Sequence, residues 1–498
     1  MRSAASSTPC LVVGAGISGL YAALLLARAG RRVRVIDRSS ARGGLAGAEY
    51  FRGIPCDLGS HRLHPGALSH PLFREMHGEQ PFLTRPRRGV LVLGGRHIAY
   101  PPDALSLARA MGPAASLSMG LHVLARADRR RAFARWERDR CPIATGTDTG
   151  TGTGTDTGAD TGTGTGTDTD TGAGAGTGAG AGTGTDTDVG FERFVIDRVG
   201  ERAYEAFYKP YAEKVWGIPP ADLSQAVAKK RVSSSDPVQL VRGFIGRALA
   251  ALGGGARPGL DHFVYPRGGT SSIPAFLEAK LAELGVCVER GTPYRPEADR
   301  GQAVLFAGDL RDLVPTSLEH RGLYLVYIAL PCNRLGAAET YYCPDPRFWF
   351  GRVSELQNYA PDLKRPGETI LCVEIPEGRW GPGVDFASGA RLDELLAQLA
   401  IARIIPPKCA PIEVRQRFVP GVYPLYRRGF HALWREAMAR VAELGNVLPF
   451  GRQALFLHCN LDHCAGVASD AVAHLQKSAP FNAWISQAEK YLEIRVRD

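Results

Sequence analysis

Apolar and polar positions alternate along this chain in blocks that read as strands and helices. Cys10, Leu11, Val12 and Val13 form a short, uncharged apolar run, which predicts a buried strand. Gly14, Gly16 and Gly19 follow. From Ile17 to Arg28 almost every position is apolar, which predicts a deeply packed helix. Val33, Val35 and Ile36 mark a second strand that ends in Asp37. Downstream the pattern predicts a helix over 273–284, strands over 286–289 and 303–307, and apolar strands over 323–330 and 369–375. Further helices are expected over 387–404, 431–444 and 462–475. Residues 191–248 read as helices interrupted at Pro210 and Pro219, and 105–140 as helical and strongly basic from Arg126 onward. The basic stretch suits a solvated helix face, with an anionic partner or lipid headgroups as the sharper alternative.

One stretch breaks the pattern. Residues 145–188 are almost entirely Gly, Thr, Asp and Ala in short repeats. With no apolar face to bury, such a stretch cannot offset its ordering entropy, so it is expected to be a flexible insertion between two helices. Its aspartates lack the spacing of a calcium-binding loop.

The first 37 residues carry the chemistry. Strand, G-x-G-x-x-G, helix, strand and acid is the order that binds a dinucleotide. Gly14 allows the tight turn, Gly16 lets the backbone approach a pyrophosphate, and Gly19 lets helix and strand pack closely. The helix N-terminus offers unpaired N–H groups and partial positive charge to phosphates. Asp37 stands where an acid would grip a ribose hydroxyl. Arg42, Gly43 and Gly44 follow, a glycine pair beside a planar cation that suits a second phosphate.

At Arg42-Gly43-Gly44-Leu45-Ala46-Gly47 and Gly59-Ser60-His61 the chain resembles the flavoprotein superfamily of amine oxidases, protoporphyrinogen oxidases, phytoene desaturases and UDP-galactopyranose mutases. Further resemblance lies in 191–217, in Tyr265-Pro266-Arg267-Gly268-Gly269 and in 451–463, so it spans nearly the whole chain outside the insert. Many members carry arginine after the glycine pair, whereas this chain has Leu45, a form closer to the mutase and desaturase branches. The resemblance implies FAD as cofactor, held by Gly14, Gly16, Ile17, Ser18, Gly19, Asp37, Arg38, Arg42, Gly43, Gly44, Leu45, Gly59, Ser60, His61, Val288, Gly451, Arg452, Leu461 and Asp462. It implies an α/β architecture, with a discontinuous Rossmann-like FAD-binding domain, a mixed-sheet substrate domain and a helical cap. The expected division is 1–97, 261–320 and 436–475 for FAD binding, 98–260 for the cap, 321–435 for the substrate domain and 476–498 for a tail.

Catalytic candidates are His61, beside the expected flavin ring, Tyr208 and Lys209 in the cap, and Tyr423. His64, Tyr211, Lys214, Trp216, Tyr327, Tyr426 and Arg427 are weaker ones. His458, Cys459, Asp462, His463 and Cys464 crowd together, but the expected flavin loop accounts for them and no metal is expected.

Composition narrows the setting. At 498 residues, with 44% hydrophobic and 22% charged residues, the chain is long enough for two or three domains. A net charge of +10 favours anionic substrates, but no nucleic-acid module is present. Ten cysteines without a C-x-x-C pair suggest reduced thiols and a cytoplasmic protein. No signal peptide is expected, and no run reaches the about 18 apolar residues that span a bilayer. Peripheral membrane contact and oligomeric state stay open.

Two activities fit. One is an FAD-dependent oxidoreductase of oxidase, dehydrogenase or desaturase type, removing a hydride equivalent from a small or medium organic substrate, with specialised metabolism as a fitting setting. The alternative is a mutase-like, non-redox flavoenzyme acting on a nucleotide sugar. The Gly-Gly-Leu-Ala form and the basic cap favour the second. The lack of a clear arginine pair for a diphosphate counts against it, with Arg267, Arg352 and Arg427 as candidates. Residues 323–330 contain no lysine, which disfavours simple amine oxidation.

Overall fold

Two sheets organise the chain in a computed structural model that describes residues 9–93, 95–100, 188–201, 204–231, 262–297 and 301–496. The first sheet has five parallel strands, in the order Val447–Pro449, Val304–Phe306, Cys10–Val13, Val33–Asp37, Val288–Arg290. Cys10–Val13 is central and fully buried, as its uncharged sequence requires. The first helix, Ile17–Arg28, is buried over most of its length. It packs against the closing helix Leu461–Gln476 and against Ser272–Glu283. That crowding explains why the first helix is apolar nearly all round.

The second sheet has seven strands, in the order Glu413–Pro424, His320–Leu330, Thr369–Pro376, Arg352–Glu355, Thr340–Tyr342, Gly89–Leu93, Arg96–Tyr100. All neighbours are antiparallel except Thr340–Tyr342 beside Gly89–Leu93. His320–Leu330 is covered on both faces. Tyr324, Val326, Ile328 and Leu330 enter one apolar cluster, while Leu323, Leu325, Tyr327 and Ala329 enter another. A period-2 strand with two buried faces reads as a continuous apolar run, which is what the sequence has there.

Against one face of the seven-stranded sheet packs the hairpin Ala48–Phe51 and Ile54–Asp57. Asp57 anchors it. Its carboxylate accepts from the Tyr265 hydroxyl and, at 2.9 Å, from the Thr270 N–H. Its backbone carbonyl accepts from the Tyr327 hydroxyl at 2.8 Å.

The structure corrects four expectations. Residues 89–100 form a hairpin on the edge of the seven-stranded sheet, not part of the Rossmann-like unit. The Gly/Thr/Asp stretch ends before Asp188, whose buried carboxylate accepts from the N–H groups of Gly190 and Gln225 at 3.1 and 2.9 Å. Pro210 does not interrupt a helix. It sits in the first turn of Lys209–Trp216, directly after the π-helical turn Tyr204–Tyr208, so the chain stays helical through it. The expected tail folds into the helix Phe481–Ala488 and the turn Glu489–Glu493, with Trp484 buried and donating to the Pro449 carbonyl at 2.7 Å. The basic helix expected over 105–140, residues 145–187 and residues 232–248 lie outside the described residues. Among the described residues, no helix is long and apolar enough to cross a membrane.

Candidate cofactor and active site

The first helix begins at Gly16, which caps it without any side chain. A methyl group on Gly16 would meet nothing within 4 Å, so open space faces the helix start. Gly19 is the opposite case. Its Cβ would lie 1.8 Å from the Gly14 carbonyl oxygen, so helix and turn touch backbone to backbone. Asp37 closes the turn from the neighbouring strand, accepting the Ala15 N–H at 2.6 Å and the Ser39 N–H at 2.7 Å. The second glycine pair folds onto the first through a bridge between Gly16 and Gly43. Gly43 has φ +81°, and its Cβ would lie 2.6 Å from the Pro274 ring. The closing segment completes the wall: a Cβ on Gly451 would lie 2.8 Å from the Ser18 side chain, and the Ser18 hydroxyl donates to the Cys464 carbonyl at 3.4 Å. Arg452 bridges this segment to the seven-stranded sheet, donating to the carbonyls of Cys459 and Val422. Its buried Nε finds no acceptor.

The other expected cofactor residues divide. Ile17 is buried under the cradle. Leu461 and Asp462 open the closing helix beside Ser18, behind an Asn460–His463 capping box. Val288 pairs with Val35 on the edge strand. Leu45 packs into the cluster around Phe51 and Cys56. Arg38 pairs with Asp312, and Arg42 is largely exposed, 3.8 Å from Glu278.

Gly59, Ser60 and His61 lead away from the cradle. Gly59 has φ +93°, and Ser60 donates its N–H to Glu374 Oε1 at 2.8 Å. His61 Nε2 lies 3.2 Å from the Leu58 carbonyl, which places the proton on Nε2 and leaves Nδ1 as acceptor. Burial holds this imidazole below its ordinary pKa, against the pull of Asp57. His64 is a helix cap: its Nδ1 accepts the Gly66 N–H at 3.0 Å.

The sequence offers Arg352 as a candidate for a diphosphate but misses its partner beside His61, Glu374. Arg352 donates two hydrogen bonds to Glu374, at 2.8 and 2.6 Å, from adjacent strands. Glu374 is almost fully buried, and its charge inside an otherwise apolar run was the available signal. Arg62 forms a second buried ion pair, 2.9 Å from Glu339, and donates to the Tyr342 hydroxyl at 3.2 Å. Aromatic rings stand nearby. Tyr423 stacks on His458 with centroids 5.8 Å apart, and Trp216 meets Tyr423 edge-on at 6.0 Å.

Among the cap candidates, Tyr208 is partly buried beside Phe207, and burial raises its phenol pKa. Lys209 pairs with Glu205 one turn back, at 3.0 Å, on the surface. Lys214 donates to three backbone carbonyls, of Cys343, Asp345 and Phe350, and so pins the cap to the sheet; burial lowers its ammonium to about 8. Tyr327 and Tyr426 are core residues, with hydroxyls on the carbonyls of Asp57 and Phe456.

Residues 12–77 match the family model of an NAD(P)-binding Rossmann-like domain. Among solved structures, reduced UDP-galactopyranose mutase aligns with a TM-score of 0.70 at 16% identity, over 98% of this chain and 99% of that one. A protein of Exiguobacterium sp. 255-15 assigned as a protoporphyrinogen oxidase gives 0.62 at 14%, over 95% and 100%. The chain shares its fold with both of these proteins. Wild-type putrescine oxidase bound to putrescine shares the fold as well, with a TM-score of 0.54 at 16% identity over 94% and 99%. No curated protein matches the chain.

Proposed function

We propose that this chain is an FAD-dependent oxidoreductase that takes a hydride equivalent from a small or medium organic substrate. The observation that carries this reading is the glycine-walled space at Gly16, at the start of the first helix, with Asp37 beside it. Backbone N–H groups there suit a pyrophosphate, and the orphaned Arg452 Nε offers a further donor. The residues present therefore fit a flavin dinucleotide. When bound, FAD supplies the hydride acceptor. The first helix would hold the pyrophosphate, Asp37 the ribose, and Gly43 and Gly44 the second glycine turn against it. His61, neutral and with Nδ1 as acceptor, would take a substrate proton. Tyr423, His458 and Trp216 would orient an organic substrate by their ring faces. The described cysteines form no disulfide with one another, in keeping with a cytoplasmic setting.

The mutase-like reading is the second. The alignment with reduced UDP-galactopyranose mutase over 98% of the chain favours it. The charges favour the first. Arg352 is neutralised by Glu374 and Arg427 by Glu319 at 2.7 Å, so neither is a free clamp for a diphosphate.

Reoxidation separates them. The purified protein is chemically reduced, mixed with aerated buffer and followed at the visible flavin band. Fast return of colour supports an oxidase. Slow return moves the search to artificial acceptors and nucleotide sugars, and isomerisation that requires prior reduction would overturn the redox reading.

A further inference from the structure

Two buried thiols meet at the start of the closing helix, with Cys459 Sγ and Cys464 Sγ 3.7 Å apart. Their spacing explains the meeting. Asn460 is the N-cap of Leu461–Gln476, and its N–H is accepted by His463 Nδ1 at 3.2 Å. Cys459 therefore precedes the cap, and Cys464 is the fourth helical residue. Side chains at these two positions ordinarily form an apolar staple that fixes the entry of the chain. Here the staple consists of two sulfurs.

Their surroundings favour reaction at Cys464. Burial pushes the Cys10 thiol up to about 11, and those of Cys56 and Cys343 up to about 12. Cys464 moves the other way, because Cys459 hydrogen-bonds to it and the Arg452 guanidinium favours negative charge there. Cys464 keeps 8% of its surface accessible, beside Ser18 at the cradle, and hydrogen peroxide is scarcely larger than water.

We propose that Cys459 and Cys464 form a reversible dithiol–disulfide couple that hydroperoxides oxidise. The Cys464 thiolate attacks a peroxide oxygen, the O–O bond breaks, and Cys464 becomes a sulfenic acid as the first water leaves. Cys459 sulfur then attacks Cys464 sulfur, forming the S–S bond and releasing the second water. Two thiols and one hydrogen peroxide thus give one disulfide and two waters, and an added dithiol reverses the step by exchange. The crosslink fastens the loop before the closing helix onto that helix, beside the candidate cofactor cradle. The inference stands on the two sulfurs and does not require the flavin reading.

The full-length protein is treated with hydrogen peroxide, quenched with catalase, alkylated under denaturing conditions and digested with trypsin. Peptide 453–477 contains both cysteines and no internal lysine or arginine. The expected result is a peptide lighter by two hydrogens that takes no alkyl label, with both labels restored by dithiothreitol before alkylation. In Cys459→Ser, a dimedone adduct should then accumulate on Cys464. The proposal is overturned if peptide 453–477 keeps both labels at peroxide levels that oxidise the exposed Cys287. Crosslinks from either cysteine to a third one, or label loss that dithiothreitol does not restore, also overturn it. Should Cys459→Ser fail to fold, the wild-type peptide decides.

Discussion

At the start of the first helix, the candidate site is made of backbone. Gly14, Gly16, Gly19, Gly43 and Gly451 bring chain segments together without side chains, and Asp37 ties the turn. Around His61 the site is made of side chains, drawn from strands, a loop and a helix end far apart in sequence: Arg352, Glu374, Tyr423, His458 and Trp216. The first end needs small residues at fixed local spacing. The second needs buried charges to find partners across a sheet. Different substitutions should therefore damage them in different ways.

The largest effect is expected within the glycine cradle itself. Gly19→Val drives a side chain into the Gly14 carbonyl and should destabilise the fold by about 3 kcal/mol or more, read as a collapse in Tm. Gly16→Val points into open space, so it should keep the wild-type Tm of the cofactor-free protein and yet lose flavin. Equal Tm losses in the two variants would erase the distinction between packing glycine and cofactor glycine.

At the other end, Arg352→Ala leaves buried Glu374 with its charge unpaired. A loss of about 3–5 kcal/mol is expected in denaturant unfolding. Arg352→Met with Glu374→Gln should recover much of that loss, and failure to do so would mean that the charge pair is not what matters. His61→Ala should retain flavin but slow reduction by substrate about 10²-fold in stopped-flow traces. Wild-type rates would leave His61 as scaffold.

A smaller effect follows from His320, buried with neither ring nitrogen partnered. Burial lowers its pKa from 6.5 to about 4. Between those values the unfolded chain binds more protons than the folded one, so this group makes stability fall as pH drops through that window. His320→Phe should reduce the slope of unfolding free energy against pH there by about one proton. The smallest effect is expected of Lys209→Ala, whose surface pair with Glu205 should be dispensable for both turnover and Tm.

The unequal legibility of the two ends has the same origin. The bounds of Ile17–Arg28 and Val33–Asp37 follow from local periodicity and agree with the structure residue for residue. Gly14, Gly16 and Gly19 declare themselves because their spacing is local. Arg352 and Glu374 are 22 positions apart, and nothing in either neighbourhood names the other. The sequence leaves the sheet of the edge hairpin at 89–100 unmarked for a similar reason. Its partner, Thr340–Tyr342, lies some 250 residues away, and short strands carry no mark of which sheet they join. Lys209 looked chemical because it stands among aromatics, but helical spacing gave it Glu205 as a surface partner.

The central claim is that the cradle at Gly16 holds a flavin dinucleotide. The most direct measurement is the visible absorption spectrum of the purified protein, before and after incubation with FAD and desalting, with the cofactor then released by denaturation and identified by chromatography. The account predicts flavin bands that stay with the protein and released FAD at about one per chain. A protein without a flavin band, even after incubation with FAD, would contradict it.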